Sequence, residues 1–139
     1  MQVTELIATA RTQIRNLSPS EVAEALKDPG VVLLDVREPG EAETDGAIPG
    51  AIAAPRGMLE FHADPSSPYH LSALTPDRRV ICYCKSGGRS ALAAASLRAM
   101  GYADAAHLDG GIAAWNQAQA ATADDEAGPV SRASVTPGQ

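Results

Sequence analysis

The sequence predicts an α/β fold, a small parallel β-sheet flanked by helices on both faces. Two observations carry this. Val31-Val32-Leu33-Leu34-Asp35 is an unbroken β-prone run, the pattern of a strand covered on both faces, as strands of parallel sheets are. Further β-prone runs alternate with helical stretches along the chain, and such alternation implies right-handed crossovers between parallel strands. At 139 residues the chain has the length of one domain, enough to close a single core.

From the N-terminus, Val3, Leu6, Ile7, Ala10 and Ile14 recur at helical spacing, so a short amphipathic helix over Val3 to Arg15 is expected on the outside of the domain. Ser18-Pro19-Ser20-Glu21 has the form of a capping box with proline at the first helical position, which starts a helix at Pro19 that runs to about Lys27. Asp28-Pro29-Gly30 turns the chain into the first strand. Strands are then expected at Ala51 to Ala54, Arg79 to Tyr83 and Ala105 to Leu108, and helices near Glu38 to Thr44, Ser90 to Met100 and Ile112 to Gln119. Gly101 stands where a helix-closing glycine belongs. Beyond about Ala118 the chain turns to Ala, Asp, Gly, Ser and Pro without periodicity, too little apolar surface to offset its ordering entropy. The organisation read from this is a helical extension at 1–16, a folded domain at 17–118 and a flexible tail at 119–139.

Composition excludes several classes. Eleven basic and seventeen acidic side chains give a formal net charge of −6, with 45% hydrophobic and 20% charged residues, the balance of a soluble folded protein. A nucleic-acid partner is disfavoured, because phosphate binding relies on a basic excess. The longest apolar stretches fall far short of the roughly 20 residues that cross a bilayer, and the N-terminus lacks a signal-peptide pattern, so the expectation is a cytoplasmic protein with no membrane partner. Cys82 and Cys84 are the only cysteines; two residues apart on one strand they are poorly placed to pair, so no disulfide framework is expected.

The segment Cys84-Lys85-Ser86-Gly87-Gly88-Arg89-Ser90 carries the chemistry. It joins a strand to a helix at the carboxyl edge of the sheet, where open α/β folds place their ligands. Gly87 and Gly88 let the loop curl so that backbone N–H groups converge, and the following helix aims its positive end at the same point. A thiol held there loses its proton more readily, helped by Lys85 and Arg89. Cys84 is therefore the candidate nucleophile, whereas Cys82, inside the strand, reads as a buried structural residue.

Four sequence elements resemble the rhodanese family, over roughly Leu17 to Trp115. They are Leu34-Asp35-Val36-Arg37-Glu38-Pro39 with Glu41; Gly46-Ala47-Ile48-Pro49-Gly50-Ala51-Ile52 ending in Pro55; the loop pattern C-x-x-G-x-R at Cys84, Gly87 and Arg89; and Leu108-Asp109-Gly110-Gly111-Ile112 with Trp115. One departure is Ala47, where the family usually has histidine. The resemblance implies a thiosulfate sulfurtransferase-like enzyme. In it Cys84 takes a sulfur from a small anionic donor such as thiosulfate, holds it as a persulfide, and passes it to a thiol or cyanide acceptor. It requires no metal or organic cofactor. The amides of Lys85 to Ser90 are expected to surround the persulfide, with Lys85, Ser86, Gly87, Gly88, Arg89 and Ser90 contacting substrate. Lys85 is expected to attract the donor, and Arg89 to lock the loop through a carboxylate, with Glu38 or Asp35 as its partner. Asp35, Arg37 and Glu38 are read as bracing the loop side of the sheet.

The long connection from Ala54 to Arg79 has the length of a lid or binding segment, and Arg56 within it is expected to border the pocket. His62 and His70 lack a third ligand, which disfavours zinc; His107 reads as a packed, hydrogen-bonded histidine. Two rival readings remain open. A cysteine-dependent phosphatase of tyrosine type uses a similar anion loop, but with five residues between cysteine and arginine where this chain has four, a spacing better suited to one sulfur atom. A non-catalytic binding or regulatory module is the other, against which the presence of Cys84 argues.

Overall fold

The structure, a computed structural model, describes residues 1–121. The expected tail therefore lies almost wholly outside the described residues. Helix α1 (Val3–Arg11) is followed by β1 (Arg15–Leu17), α2 (Pro19–Ala25), β2 (Val32–Asp35), α3 (Glu41–Asp45), β3 (Ile52–Ala53), a 3-10 turn (Arg56–Met58), α4 (Leu59–Ala63), β4 (Val80–Tyr83), α5 (Gly88–Ala99) and β5 (Ala105–Leu108). A last helix, α6, spans residues 111–121. No helix among the described residues is long and apolar enough to cross a membrane.

The five strands form one parallel sheet in the order β1-β5-β4-β2-β3. Because alternate residues of a strand point to opposite faces, the sheet buries two cores. Val32, Leu34, Val80, Cys82, Cys84 and Ala105 pack with Leu59 of α4 and Ala93, Ala94 and Leu97 of α5. Leu33, Ile81, Tyr83, Ala106 and Leu108 pack with Val22 and Ala25 of α2 and Ile112 of α6. Helices thus cover both faces, as the unbroken apolar run of β2 requires. The capping box forms: the Glu21 N–H donates to Ser18 Oγ at 3.2 Å, and the Ser18 N–H donates to the Glu21 carboxylate at 3.0 Å.

Three local expectations are corrected. The first helix stops at Arg11, and Arg15–Leu17, read as the end of that helix and the start of the domain, form an edge strand on β5 instead. Ile14 still packs against the α5-side core, which is why the helical spacing seemed to continue. The connection from 54 to 79 is no free lid: Leu59, Ala63 and Leu74 are fully buried, and the Tyr102 hydroxyl donates to the Ala63 carbonyl at 2.6 Å. Finally, α6 runs to residue 121, two residues beyond the end expected for that helix at Gln119.

Candidate active site

Strand β4 delivers Cys84 to the carboxyl edge of the sheet, and the loop from Lys85 to Gly87 curls back over it into α5. Gly87 makes that curl. Its φ is +113°, and a Cβ there would stand 3.3 Å from the Gly110 nitrogen, so both the left-handed conformation and the space call for glycine. Gly88 does something else: its backbone is helical, and its bare Cα admits α1, since a Cβ would lie 3.2 Å from Ile7 Cδ1. The expectation that both glycines serve the curl is corrected to Gly87 alone.

The loop is tethered from behind by α6. The Ile112 N–H donates to the Cys84 carbonyl at 2.9 Å and the Ala113 N–H to the Lys85 carbonyl at 3.1 Å. These are N–H groups of a first helical turn, which has no intrahelical acceptors for them.

The Cys84 side chain, buried with 1% of its surface exposed, sits inside this curl. Its Sγ accepts the Gly87 N–H at 3.1 Å and the Ser90 N–H at 3.4 Å, and lies 3.5 Å from Ser90 Oγ. Burial alone would raise the thiol pKa; the Ser90 hydroxyl and the N–H groups of Ser90, Gly87 and Ser86 outweigh it and hold the thiol below its ordinary value. Cys82 has no such donors. Full burial pushes its thiol up to about 12, which leaves it inert at neutral pH.

Arg89 closes the front of the loop, and its partner is Glu41 rather than Glu38 or Asp35. Nη1 and Nη2 donate to the two Glu41 oxygens at 2.7 and 2.9 Å. The Glu38 backbone N–H adds a bond to Glu41 Oε2 at 2.7 Å. The bidentate bond from Arg89 lowers the Glu41 carboxyl from 4.5 to about 2. Asp35 is already taken: Arg37 Nε and Nη2 donate to its two oxygens at 2.9 and 2.8 Å, and the Tyr83 hydroxyl donates at 3.1 Å. Arg37 is 2% exposed, donates again to the Gly46 carbonyl at 2.8 Å, and lies 5.3 Å from the Tyr83 ring centroid. This pair ties the end of β2 to the segment leading into β3. Glu38, read as a third brace, instead exposes its side chain and contributes only its backbone N–H.

A family model described as the rhodanese-like domain matches residues 18–118. The chain belongs to the rhodanese-like domain family. It is 39% identical over 101 residues to a probable adenylyltransferase/sulfurtransferase MoeZ of Mycobacterium tuberculosis, covering 71% of this chain and 24% of that relative; the chain thus spans about a quarter of that relative's length. A sulfurtransferase of Allochromatium vinosum is 39% identical over 85 residues, covering 61% of this chain and 71% of that one. Among solved structures, a Rhodopseudomonas palustris protein of unknown function, described as a possible tyrosine phosphatase, superposes with a TM-score of 0.81 at 38% identity. That match covers 86% of this chain and 92% of the other. A human single-domain sulfurtransferase superposes at 0.64 with 27% identity, covering 73% and 95%.

The rhodanese loop does not gather every residue singled out from the sequence. Lys85 and Ser86 lie on it with exposed side chains, the Lys85 ammonium 3.9 Å from the Asp45 carboxylate. Arg56 stands apart: its guanidinium donates to Glu60 at 3.0 and 3.1 Å and to Ser96 Oγ at 3.0 Å, six residues along α5 from Ser90, with no hydrogen bond to the loop. Ala47, where the family usually has histidine, is exposed. His62 Nδ1 and His70 Nε2 lie 2.9 and 2.6 Å from the carbonyls of Tyr69 and Leu74. Sequence reasoning missed Glu41 as the partner of Arg89 and Tyr83 as a hydrogen-bond donor to Asp35, whereas His107 is packed and hydrogen-bonded as expected, fully buried behind Ser90. Strand alternation held the signal for His107, because 105 and 107 share a face.

Proposed function

We propose that this rhodanese-like chain is a sulfurtransferase that carries sulfane sulfur on Cys84, from a small anionic donor such as thiosulfate to a thiol or cyanide. The observation that carries this is the cradle of N–H groups from Gly87 and Ser90 at 3.1 and 3.4 Å on the Cys84 sulfur. The thiolate attacks the outer sulfur of thiosulfate, the S–S bond breaks, and sulfite leaves with the bonding pair. An anionic persulfide stays on Cys84. Cyanide then attacks the terminal sulfur and leaves as thiocyanate, or a thiolate leaves as its own persulfide, and the Cys84 thiolate returns. The loop amides take the negative charge of the terminal sulfur as an oxyanion hole takes that of oxygen. Lys85, exposed at the rim, draws the anionic donor. Sulfurtransferase relatives and two buried, unpaired cysteines, which fit a reducing cytoplasm, support the reading. No cofactor or metal enters the scheme.

A phosphatase reading draws on the Rhodopseudomonas neighbour described as a possible tyrosine phosphatase. The site favours sulfur for three reasons. Four residues separate Cys84 from Arg89, a short cradle for a group with three peripheral oxygens. The Arg89 fork is occupied by Glu41. A phosphatase also needs a general acid, and two aspartates that could serve, Asp109 and Asp64, are engaged: both Asp109 oxygens accept from Arg11 at 2.9 Å, and the Ser66 N–H and hydroxyl hold Asp64 below its ordinary value, whereas a general acid needs a raised one.

The test is intact-protein mass after thiosulfate treatment, followed by thiocyanate release with cyanide. The wild type and Cys82→Ser should gain one sulfur, and Cys84→Ser none. Sulfur gained without Cys84, or efficient aryl phosphate hydrolysis with no persulfide, overturns the proposal.

A further inference from the structure

Behind Cys84, away from the substrate side, a line of hydrogen-bonding groups runs from Ser90 through His107 to Asn16. His107 Nδ1 lies 2.9 Å from Ser90 Oγ, and Nε2 lies 2.9 Å from Asn16 Oδ1. The amide of Asn16 is oriented independently, because its Nδ2 donates to the Arg11 carbonyl at 2.9 Å. Oδ1, which only accepts, therefore faces the imidazole. In the neutral ring Nε2 must carry the hydrogen and Nδ1 must be the acceptor.

Ser90 has one hydroxyl hydrogen and three groups that can claim it: His107 Nδ1 at 2.9 Å, the Gly87 carbonyl at 3.2 Å and Cys84 Sγ at 3.5 Å. A bare ring nitrogen in a fully buried histidine is costly to leave unpaired. The hydrogen belongs on Nδ1, and Ser90 Oγ then turns a lone pair toward Cys84. In that arrangement Ser90 accepts from the thiol, and it donates to the thiolate only when its hydrogen leaves Nδ1.

We propose that His107 is a positioning residue for Cys84: held by Asn16, it competes for the hydroxyl hydrogen of Ser90 and so weakens that donor to the Cys84 thiolate. The inference rests on Cys84 as the nucleophile. Asn16, His107 and Cys82 are register partners across β1, β5 and β4, so the sheet itself builds the line. Protonating the ring would reverse the direction of both bonds, but the surroundings oppose it. Burial pushes His107 down to about 4; Asp109 of the β5–α6 turn acts to raise it and Arg11 of α1 to lower it. The thiols of Cys82 and Cys84 on β4 share this face, the Arg56 guanidinium acts on it at Cys82, and the group of α5 against the ring is the uncharged Ser90.

The test is the thiol pKa of Cys84 in the full chain, from iodoacetamide alkylation rates against pH with the modified peptide identified by mass. His107→Leu frees the Ser90 hydrogen, and the charged thiolate is a stronger acceptor for it than the neutral Gly87 carbonyl. The thiol pKa should fall by about one unit, giving roughly tenfold more thiolate below it, as a hydrogen bond to a charged group implies. A merely structural loss would not increase reactivity in this way. The shift should vanish in Ser90→Ala/His107→Leu compared with Ser90→Ala. Asn16→Ala, at an exposed position, lets the ring adopt the other tautomer and should shift the pKa in the same direction; it keeps the proposal falsifiable where His107→Leu does not fold. An unchanged or raised pKa in His107→Leu or Asn16→Ala, or a shift that persists without Ser90, overturns the proposal. Alkylation needs no sulfur donor, so that failure leaves the persulfide result on Cys84 standing as a separate outcome.

Discussion

Replacing Gly111 by alanine tests whether the entry to α6 holds the loop that carries Cys84. Gly111 has φ +64°, where an L-residue costs roughly 1–2 kcal/mol. A Cβ there would stand 2.3 Å from the Lys85 oxygen, 2.4 Å from the Lys85 carbonyl carbon and 2.6 Å from the Cys84 oxygen. All three are backbone atoms, so no side chain can swing away; either the loop or the helix entry must move. Moving either breaks the bonds from Ile112 to Cys84 and from Ala113 to Lys85, at 2.9 and 3.1 Å, each worth about 1 kcal/mol. The total is roughly 3–4 kcal/mol, which for a chain of this length lowers the melting temperature by about 10–15 °C. Gly50→Ala is the control. It has φ +86° but nothing within 4 Å of the added Cβ, so only the backbone cost applies, about 5 °C. Thermal unfolding followed by circular dichroism measures both, and Cys84 alkylation below the melting range reports the loop. If Gly111→Ala loses no more than Gly50→Ala, the tether is not what positions Cys84.

Asp35→Asn leaves the Arg37 guanidinium, 2% exposed, without its counter-ion; urea unfolding should show a loss of about 3 kcal/mol, and a loss under about 1 kcal/mol contradicts the bracing role. Glu41 is lowered to about 2 from 4.5, so the stability it contributes is present above 4.5 and is lost as pH falls toward 2. Glu41→Gln should therefore flatten the acid limb of the stability profile, and an identical limb refutes the linkage. Lys85→Ala should slow sulfur uptake from thiosulfate more than release to a neutral thiol, with the difference shrinking as salt is added, because an exposed charge is screened; equal losses at every ionic strength remove Lys85 from donor capture.

What was legible in the sequence was local. The run from Val31 to Asp35, the capping box at Ser18 and the turn at Gly87 each impose their conformation within a few residues, so strand, helix start and loop can be read without knowing the partners. The site was legible to the same extent, because Cys84, Gly87 and Ser90 form a contiguous loop. Pairings across the chain were not. Strand β1 is three residues long, two of them polar and exposed, and exists because β5, far along the chain, offers it an edge. The bond from Arg89 to Glu41 joins residues 48 apart, and among several nearby carboxylates only packing shows that Asp35 is already occupied. Arg56 is expected at the pocket from its place after Pro55, but its partners, Glu60 of α4 and Ser96 of α5, come from packing that its neighbours in sequence do not reveal.

The two kinds of support around the loop divide the work that substitutions can alter. Behind Cys84 the holding groups are backbone N–H donors of α6 on carbonyls, and the groups on the sulfur include the backbone N–H of Gly87 and Ser90. No side-chain change at Lys85 or Ser86 removes any of these. Both of those side chains are exposed at the mouth of the loop, so they can change charge and size while the thiolate cradle stays intact. Under the proposed function, stabilisation of the sulfur rests on the loop backbone and the Ser90 hydroxyl, and preference among donors on the side chains at 85 and 86. A variant with Lys85 and Ser86 both replaced should keep the lowered Cys84 thiol pKa and alter the ranking of charged against neutral donors.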